Sequence, residues 1–223
     1  MDNGVFARNN RRMPSADPSA IILEARGLCF LREDEPVFGP LDFALRAGEI
    51  ALVEGDNGSG KTTLMRVLTG MLRPGEGEVR LDGATFSLDT MAGAVVFLGH
   101  QLGLKLDLSP RENLRVSSGL YGQREGADAD LALAEVGLSG FEDEPVRRLS
   151  AGQKKRAALA RLLIVPARVW LLDEPYANLD REGIALVNRL LEGHAQRGGA
   201  ALVTSHGAVR FAGGEPRRIR LHA

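Results

Sequence analysis

One cysteine, Cys29, is all the thiol chemistry available to this 223-residue chain. That excludes an intrachain disulfide framework and suits a reducing compartment. Histidine is nearly as scarce, at four residues, and no cysteine, histidine and acid cluster has metal-ligand spacing. A metal or haem-ligand reading of His100 therefore has no neighbouring ligands behind it. No apolar run approaches eighteen residues, so no segment reads as a bilayer-spanning helix, and a membrane role must come through a partner. Neither sign of charge is in excess: 28 Lys+Arg face 29 Asp+Glu, for a net charge of −1. A general nucleic-acid binder usually carries surplus positive charge, so nucleic acid is not expected as a partner. Residues 1–20 are polar, are interrupted by Pro14 and Pro18, and have no apolar core of a secretory signal. They read as a disordered tail, with Met13 as an alternative initiator.

What is present is ample apolar material, 44% of residues, enough for one substantial α/β domain with a small extra lobe. The domain is expected over residues 21–223. Residues 21–25 and 41–45 read as short strands, the latter alternating as a half-buried strand would. Ile50, Ala51, Leu52 and Val53 form a buried parallel strand. A helix is expected over 62–72, from the rhythm of Leu64, Val67, Leu68 and Met71, and Pro74-Gly75 stops it. Strands follow over 77–83 and 94–98. The texture then changes: Ser109, Pro110, Arg111 and Glu112 spell a helix start with a capping box, and 131–136 reads as another helix. Residues of about 102–150 thus form a helical lobe inserted in the α/β core. A helix over 152–163, strands over 169–173 and 200–205, and a short edge strand over 218–221 complete the reading.

The chemistry concentrates at strand ends. Gly55, Asp56, Asn57, Gly58, Ser59, Gly60, Lys61 and Thr62 form a glycine loop set between a buried strand and a helix. Backbone N–H groups of such a loop, with the field of the following helix, point at phosphate oxygens. Lys61 would reach the β- and γ-phosphates, and the Thr62 hydroxyl would join a Mg²⁺ shell. Asp173 and Glu174 stand at the mouth of the 169–173 strand. The first would serve Mg²⁺ through water or its outer shell, and the second would polarise the water that attacks the γ-phosphate. Gln101 leaves a strand end, where it could touch Mg²⁺ or water, and His206 leaves another, in reach of a γ-phosphate. Ser150, Ala151 and Gly152 before Gln153 bring a hydroxyl and exposed N–H groups to a helix N-terminus, which makes an anion site. It has no strand–loop–helix of its own, so it is expected to close on nucleotide held by another subunit. Lys154, Lys155 and Arg156 after it suggest nucleic acid at first sight, but a solvated helix face is the plainer reading.

Taken together, these residues resemble the nucleotide-binding domain of ATP-binding cassette transporters, over essentially all of 21–221. Residues 55–62 match the Walker A loop, 169–173 the Walker B strand, and Glu174 the catalytic glutamate. Gln101 matches the Q-loop, 149–153 the signature in its LSAGQ form, 177–180 the D-loop, and His206 the switch histidine. The resemblance implies a P-loop NTPase core with a mostly parallel sheet, an N-terminal antiparallel β part and an inserted helical subdomain. It implies ATP and Mg²⁺ as ligands, with Thr63, Ser150, Gly152, Gln153 and Asp180 joining the loop in nucleotide binding. Gln101, with Thr62 and Asp173, belongs to the metal site, and Gln101, Glu174 and His206 to catalysis. Two copies would pair head to tail around two nucleotides and drive an integral membrane permease. A narrower resemblance rests on Phe97 to Lys105, on Leu108 to Leu114, on Pro145 to Leu149 and on Gly183. These look like the haem-exporter ATPase subunit of the bacterial cytochrome c maturation system, a peripheral protein at the cytoplasmic face of the inner membrane. Other small-substrate transporters of the family share these catalytic residues. Soluble non-transport members usually carry coiled-coil insertions or tandem cassettes, which this chain has not. Three departures stand out. Asp56 replaces the usual proline, and Lys154-Lys155 replaces a glutamine/arginine pair. The adenine-stacking aromatic is not obvious, leaving Phe30 or the Arg32 plane, with Phe38 further on.

Overall fold

The computed structural model describes residues 17, 19–85, 93–205, 211 and 214–221; the 1–16 stretch of the expected tail and His206 lie outside them. The chain begins with a long hairpin, β1 (Ile21–Arg32) and β2 (Glu35–Arg46), extending well beyond the short strands expected at 21–25 and 41–45. Glu33 and Asp34, both with positive φ (54° and 64°), make the tight turn between them. Next come β3 (Ile50–Glu54), α1 (Lys61–Leu68), β4 (Glu76–Leu81), β5 (Ala84–Thr85) and β6 (Val95–Leu98). Helix α1 stops four residues before the expected Leu72, because Gly70, at φ 72°, takes the left-handed position that follows the Thr69 cap. Two lobe helices follow, α2 (Pro110–Tyr121) and α3 (Ala129–Glu135), then a single 3-10 turn at Val146–Arg148. The predicted capping box forms, with Ser109 Oγ accepting from Glu112 N and Glu112 accepting from Ser109 N. After α4 (Ala151–Ile164) come β7 (Val169–Asp173), α5 (Arg181–Gln196), β8 (Ala200–Thr204) and β9 (Arg217–Arg220). The sequence reading assigned no helix between the D-loop and β8, yet Leu186, Val187, Leu190 and Leu191 carry a helical rhythm, and Asp180 caps it.

The strands form an antiparallel sheet, β2-β1-β4-β5, and a five-stranded parallel sheet, β6-β7-β8-β3-β9. Strands β7 and β8 are buried at every position, as parallel strands covered on both faces must be. Their period of two splits the interior into two cores. Trp170, Leu172, Ala201 and Val203 pack with α4, α5 and the helical lobe. Val169, Leu171, Ala200 and Leu202 pack with α1 and the antiparallel sheet. The parallel strands β3, β7 and β8 share one direction, so their C-terminal ends lie along one edge, the usual place for a ligand in an α/β sheet. Among the described residues no helix is long and apolar enough to cross a membrane.

One core residue makes the fold sensitive to acid. His194 on α5 is wholly buried, stacked on Trp170 with centroids 3.9 Å apart, and its Nε2 lies 3.1 Å from the Arg168 carbonyl. Burial, and then the nearby Arg124 charge, push its pKa from 6.5 down to about 3. An unfolded chain therefore binds a proton between those values that the folded chain refuses. Stability is fully present above pH 6.5 and falls as the pH drops toward 3, at up to about 1.4 kcal/mol per unit. From pH 7.5 to 5 the loss from His194 should be about 2 kcal/mol. His194→Phe, which keeps the stack, should remove that part of the slope in urea titrations over this range. An unchanged slope would remove His194 from the account.

Candidate nucleotide site

The glycine loop joins β3 to α1, and its geometry is that of an anion cradle. Gly58 and Gly60 have φ of 87° and 91°, turning successive peptides toward one side. A Cβ on Gly60 would press on Val37 and Phe38, and one on Gly55 would collide with the Ser59 side chain, so both glycines are required by packing. Helix α1 opens with neither a side-chain cap nor an acid in its first turn, which leaves its N-terminal field uncompensated. Ser59 Oγ is buried with no hydrogen-bond partner. Lys61, 7% exposed, folds back so that Nζ donates to the Gly55 and Asp56 carbonyls at 2.6 and 2.8 Å. A buried cation beside a glycine loop, with an orphan hydroxyl next to it, fits a triphosphate. Asp56, Asn57 and Gly58 are exposed on the rim, and Thr63 is half-buried on the first turn of α1.

The ends of β7 and β8 supply the other half. Asp173 is 2% exposed and accepts two hydroxyl protons, Thr62 Oγ1 on Oδ2 at 2.9 Å and Thr204 Oγ1 on Oδ1 at 2.8 Å. The same Thr204 oxygen accepts the Glu174 N–H at 2.8 Å. A hydroxyl and a single carboxylate, facing the phosphate cradle, suit Mg²⁺, which takes few protein ligands and completes its shell with phosphate and water. No group of three or more histidines, cysteines or acids among the described residues offers an all-protein metal cage. Gln101 is exposed in the loop after β6 and lines a cavity of about 770 Å³ together with Thr62 and Asp173. Arg161 Nη2 fixes the root of that loop, donating to the Phe97 carbonyl at 2.7 Å.

The signature segment starts α4. Ser150 and Gln153 close a reciprocal capping box, Gln153 N donating to Ser150 Oγ at 3.2 Å and Ser150 N to Gln153 Oε1 at 2.9 Å. Ser150 and Ala151 are exposed, and a Cβ on Gly152 would meet nothing within 4 Å. The run after it corrects the expectation of a solvated face. Lys154 and Arg156 are half-buried, and Lys155 is 9% exposed, its Nζ 3.3 Å from the Glu174 carbonyl. Arg156 donates to the Val136 carbonyl at 3.0 Å and lies 3.8 Å from Asp180. The reason is that α4 is packed on more than one side, by the helical lobe and by α5 and β6. Asp180 is exposed and caps α5, its Oδ1 accepting from Gly183 N at 2.7 Å. Of the adenine candidates, Phe38 is core and stacks with half-buried Phe30, centroids 6.3 Å apart, which leaves Phe30 and exposed Arg32 nearer the surface.

Thr204 and Lys155 were not anticipated. The signal for Thr204 was its register opposite Asp173, which only the sheet pairing reveals.

Comparison with known proteins bears on the same residues. The family model described as ABC transporter matches residues 38–177, a span that runs from near the start of β2 through the loop and signature to the residues after β7. The chain belongs to the ABC transporter family. It is 55% identical to the cytochrome c biogenesis ATP-binding export protein CcmA of Xanthomonas campestris pv. campestris strain 8004, covering 91% of this chain and 94% of that one. The corresponding protein of Methylococcus capsulatus is 52% identical, over 85% of this chain and 93% of the other. In fold, the chain superposes with TM-score 0.76 on a putative ABC transporter ATP-binding protein from Pyrococcus furiosus, at 24% identity and covering 90% and 97% of the two chains. The protein is thus an ABC-type ATPase with a P-loop NTPase fold, the ATP-binding subunit of a transporter.

Proposed function

We propose that this chain powers haem export, or release of haem from its chaperone, in c-type cytochrome biogenesis. It does so as a homodimer on the cytoplasmic face of the bacterial inner membrane, bound to integral permease subunits. Nucleotide-binding domains of this family dimerise and pair with membrane permeases. The substrate rests on the close relatives named for cytochrome c biogenesis. One observation supports the dimer: Gly152 sits in the first turn of α4 with no internal contact that needs glycine. Glycine is a poor helix former that lets another group approach the backbone closely, so its use there fits an approach from outside, by nucleotide on a second copy.

In this reading Lys61 and the loop N–H groups hold the triphosphate, while Ser150, Gly152 and Gln153 of the second copy cover it. Mg²⁺, when bound, would neutralise the phosphate oxygens and be held by Thr62, Asp173 and Gln101. Glu174 orients water for in-line attack, and Asp180 and His206 sense the γ-phosphate.

The test of the cellular role is deletion and capture. Removing the gene should abolish haem-stained c-type cytochromes, and the tagged full chain should co-purify with integral membrane subunits from native membranes. Normal cytochrome c in the deletion strain would overturn the assignment.

A further inference from the structure

Glu174 has a φ of 50°, in the left-handed region where a side chain with a Cβ is strained. Such conformations persist where surrounding groups hold them. Here three holding groups are identifiable, one in the local turn after β7 and two from other elements. On the amino side, Thr204 Oγ1 accepts the Glu174 N–H at 2.8 Å. That hydroxyl has no rotational choice, because its proton is spent on Asp173 Oδ1 at 2.8 Å and the residue is fully buried. On the carboxyl side, the Glu174 carbonyl accepts from Ala177 N at 3.2 Å within the turn and from Lys155 Nζ, on α4, at 3.3 Å. Burial pushes the Lys155 pKa down, while Asp173 and Glu174 oppose that shift. An ammonium buried to 9% exposure is unusual for an ordinary helix face.

Lys155 also sits in a telling place. It lies one turn into α4, the helix whose exposed start is Ser150, Ala151 and Gly152. The end of that helix which would meet a second copy's nucleotide and the cation on the Glu174 peptide are therefore rigidly joined.

We infer that Thr204 and Lys155 are positioning residues for ATP hydrolysis: they clamp the Glu174 peptide in its left-handed form and so aim the carboxylate, and Lys155 ties that aim to the position of the signature helix. The inference rests on reading Glu174 as the group that orients the attacking water. A shift of α4 on engaging the other copy moves Lys155 Nζ relative to the carbonyl, and about 1 Å of misplacement costs on the order of 100-fold in rate. Hydrolysis in one copy is thereby conditioned on what its own signature touches.

The experiment uses the full chain in single-turnover hydrolysis with protein in excess, so that a slow rate remains measurable. Near-isosteric Thr204→Val and Lys155→Met are compared with conservative Thr204→Ser and Lys155→Arg, and Glu174→Gln sets the floor. The expected result is a loss of roughly 10- to 100-fold in rate for Val and Met, with ATP affinity within about twofold of wild type. The Ser and Arg forms should return to within about threefold of wild type, since each restores the donor or acceptor. Thermal melts establish that each form is folded, and if Thr204→Val does not accumulate, Lys155→Met against Lys155→Arg decides. If Glu174→Gln stops hydrolysis but Lys155→Met does not slow it, the clamp is wrong and the role of Glu174 stands. Equal losses in conservative and isosteric forms would show a merely structural role and also overturn it. Undiminished hydrolysis in Glu174→Gln would remove the role of Glu174 and the clamp with it.

Discussion

Glu174→Gln should leave ATP affinity within a factor of two or three while cutting hydrolysis by about 1,000-fold, within the range that a general base contributes. The substitution preserves the shape of the side chain and the backbone N–H that Thr204 accepts. It removes only the negative charge and the basicity. Contacts to the triphosphate would come from the loop after a different strand, β3, and from Lys61 at the start of α1, so binding and chemistry should separate cleanly. Under the homodimer proposal the consequence is visible without any assay of turnover. ATP that is bound and not split keeps both copies joined, so the variant with Mg-ATP should elute from a sizing column at twice the mass of the nucleotide-free chain. Wild type should return to monomer as ATP is consumed. A variant that stays monomeric at saturating ATP would argue against two chains sharing each nucleotide, whatever its hydrolysis rate. One that hydrolyses normally would take the base role away from Glu174.

How much of this was legible beforehand depended on whether the determinant was local in the chain. The phosphate loop was legible because its glycines, lysine and threonine are contiguous, and a buried strand and a helix flank them. The lobe helix at Ser109 was legible for the same reason, its cap, proline and glutamate falling within four residues. Strand pairing was not. Whether the apolar runs 50–54 and 200–204 lie side by side is a non-local fact, and the hydroxyl of Thr204 acquires meaning only because register sets it beside Asp173. A threonine at a strand end otherwise reads as ordinary β-propensity. Lys155 failed for a related reason. In a run of three basic residues on an amphipathic helix, solvent is the expected neighbour. The packing of α4 on more than one side reverses that, and its low amphipathicity hinted as much, since alanines 157, 158 and 160 are all buried. Helix α5, by contrast, has a local signal, the rhythm of Leu186, Val187, Leu190 and Leu191 behind the Asp180 cap.

Lys61→Ala is the variant for which affinity, not rate, should collapse. Lys61 already has partners, the carbonyls of Gly55 and Asp56. Two effects therefore compete when the side chain is removed. The first is on the loop itself, where two carbonyls lose a donor. Gly55 is half-buried and Asp56 is exposed, so water can replace the ammonium there, and the cost to folding should stay below about 1 kcal/mol. The second is on the complex, where a triphosphate loses a side-chain cation that is only 7% exposed. Hydrogen bonds to charged groups contribute about 1.5–3 kcal/mol each, and Lys61 is placed to make two with the β- and γ-oxygens. A loss of about 3–4 kcal/mol corresponds to roughly 150- to 800-fold in Kd. The second effect outweighs the first, so a near-normal melting temperature without ATP should accompany the loss of the ATP-induced rise in melting temperature. Calorimetric titration reads the affinity directly. Lys61→Arg separates charge from fit: a planar guanidinium is bulkier than an ammonium and cannot act as the same compact point charge, so it should recover only part of the binding. Unchanged ATP affinity in Lys61→Ala would mean that the loop N–H groups and the α1 terminus suffice alone, and the role given to the lysine would be withdrawn.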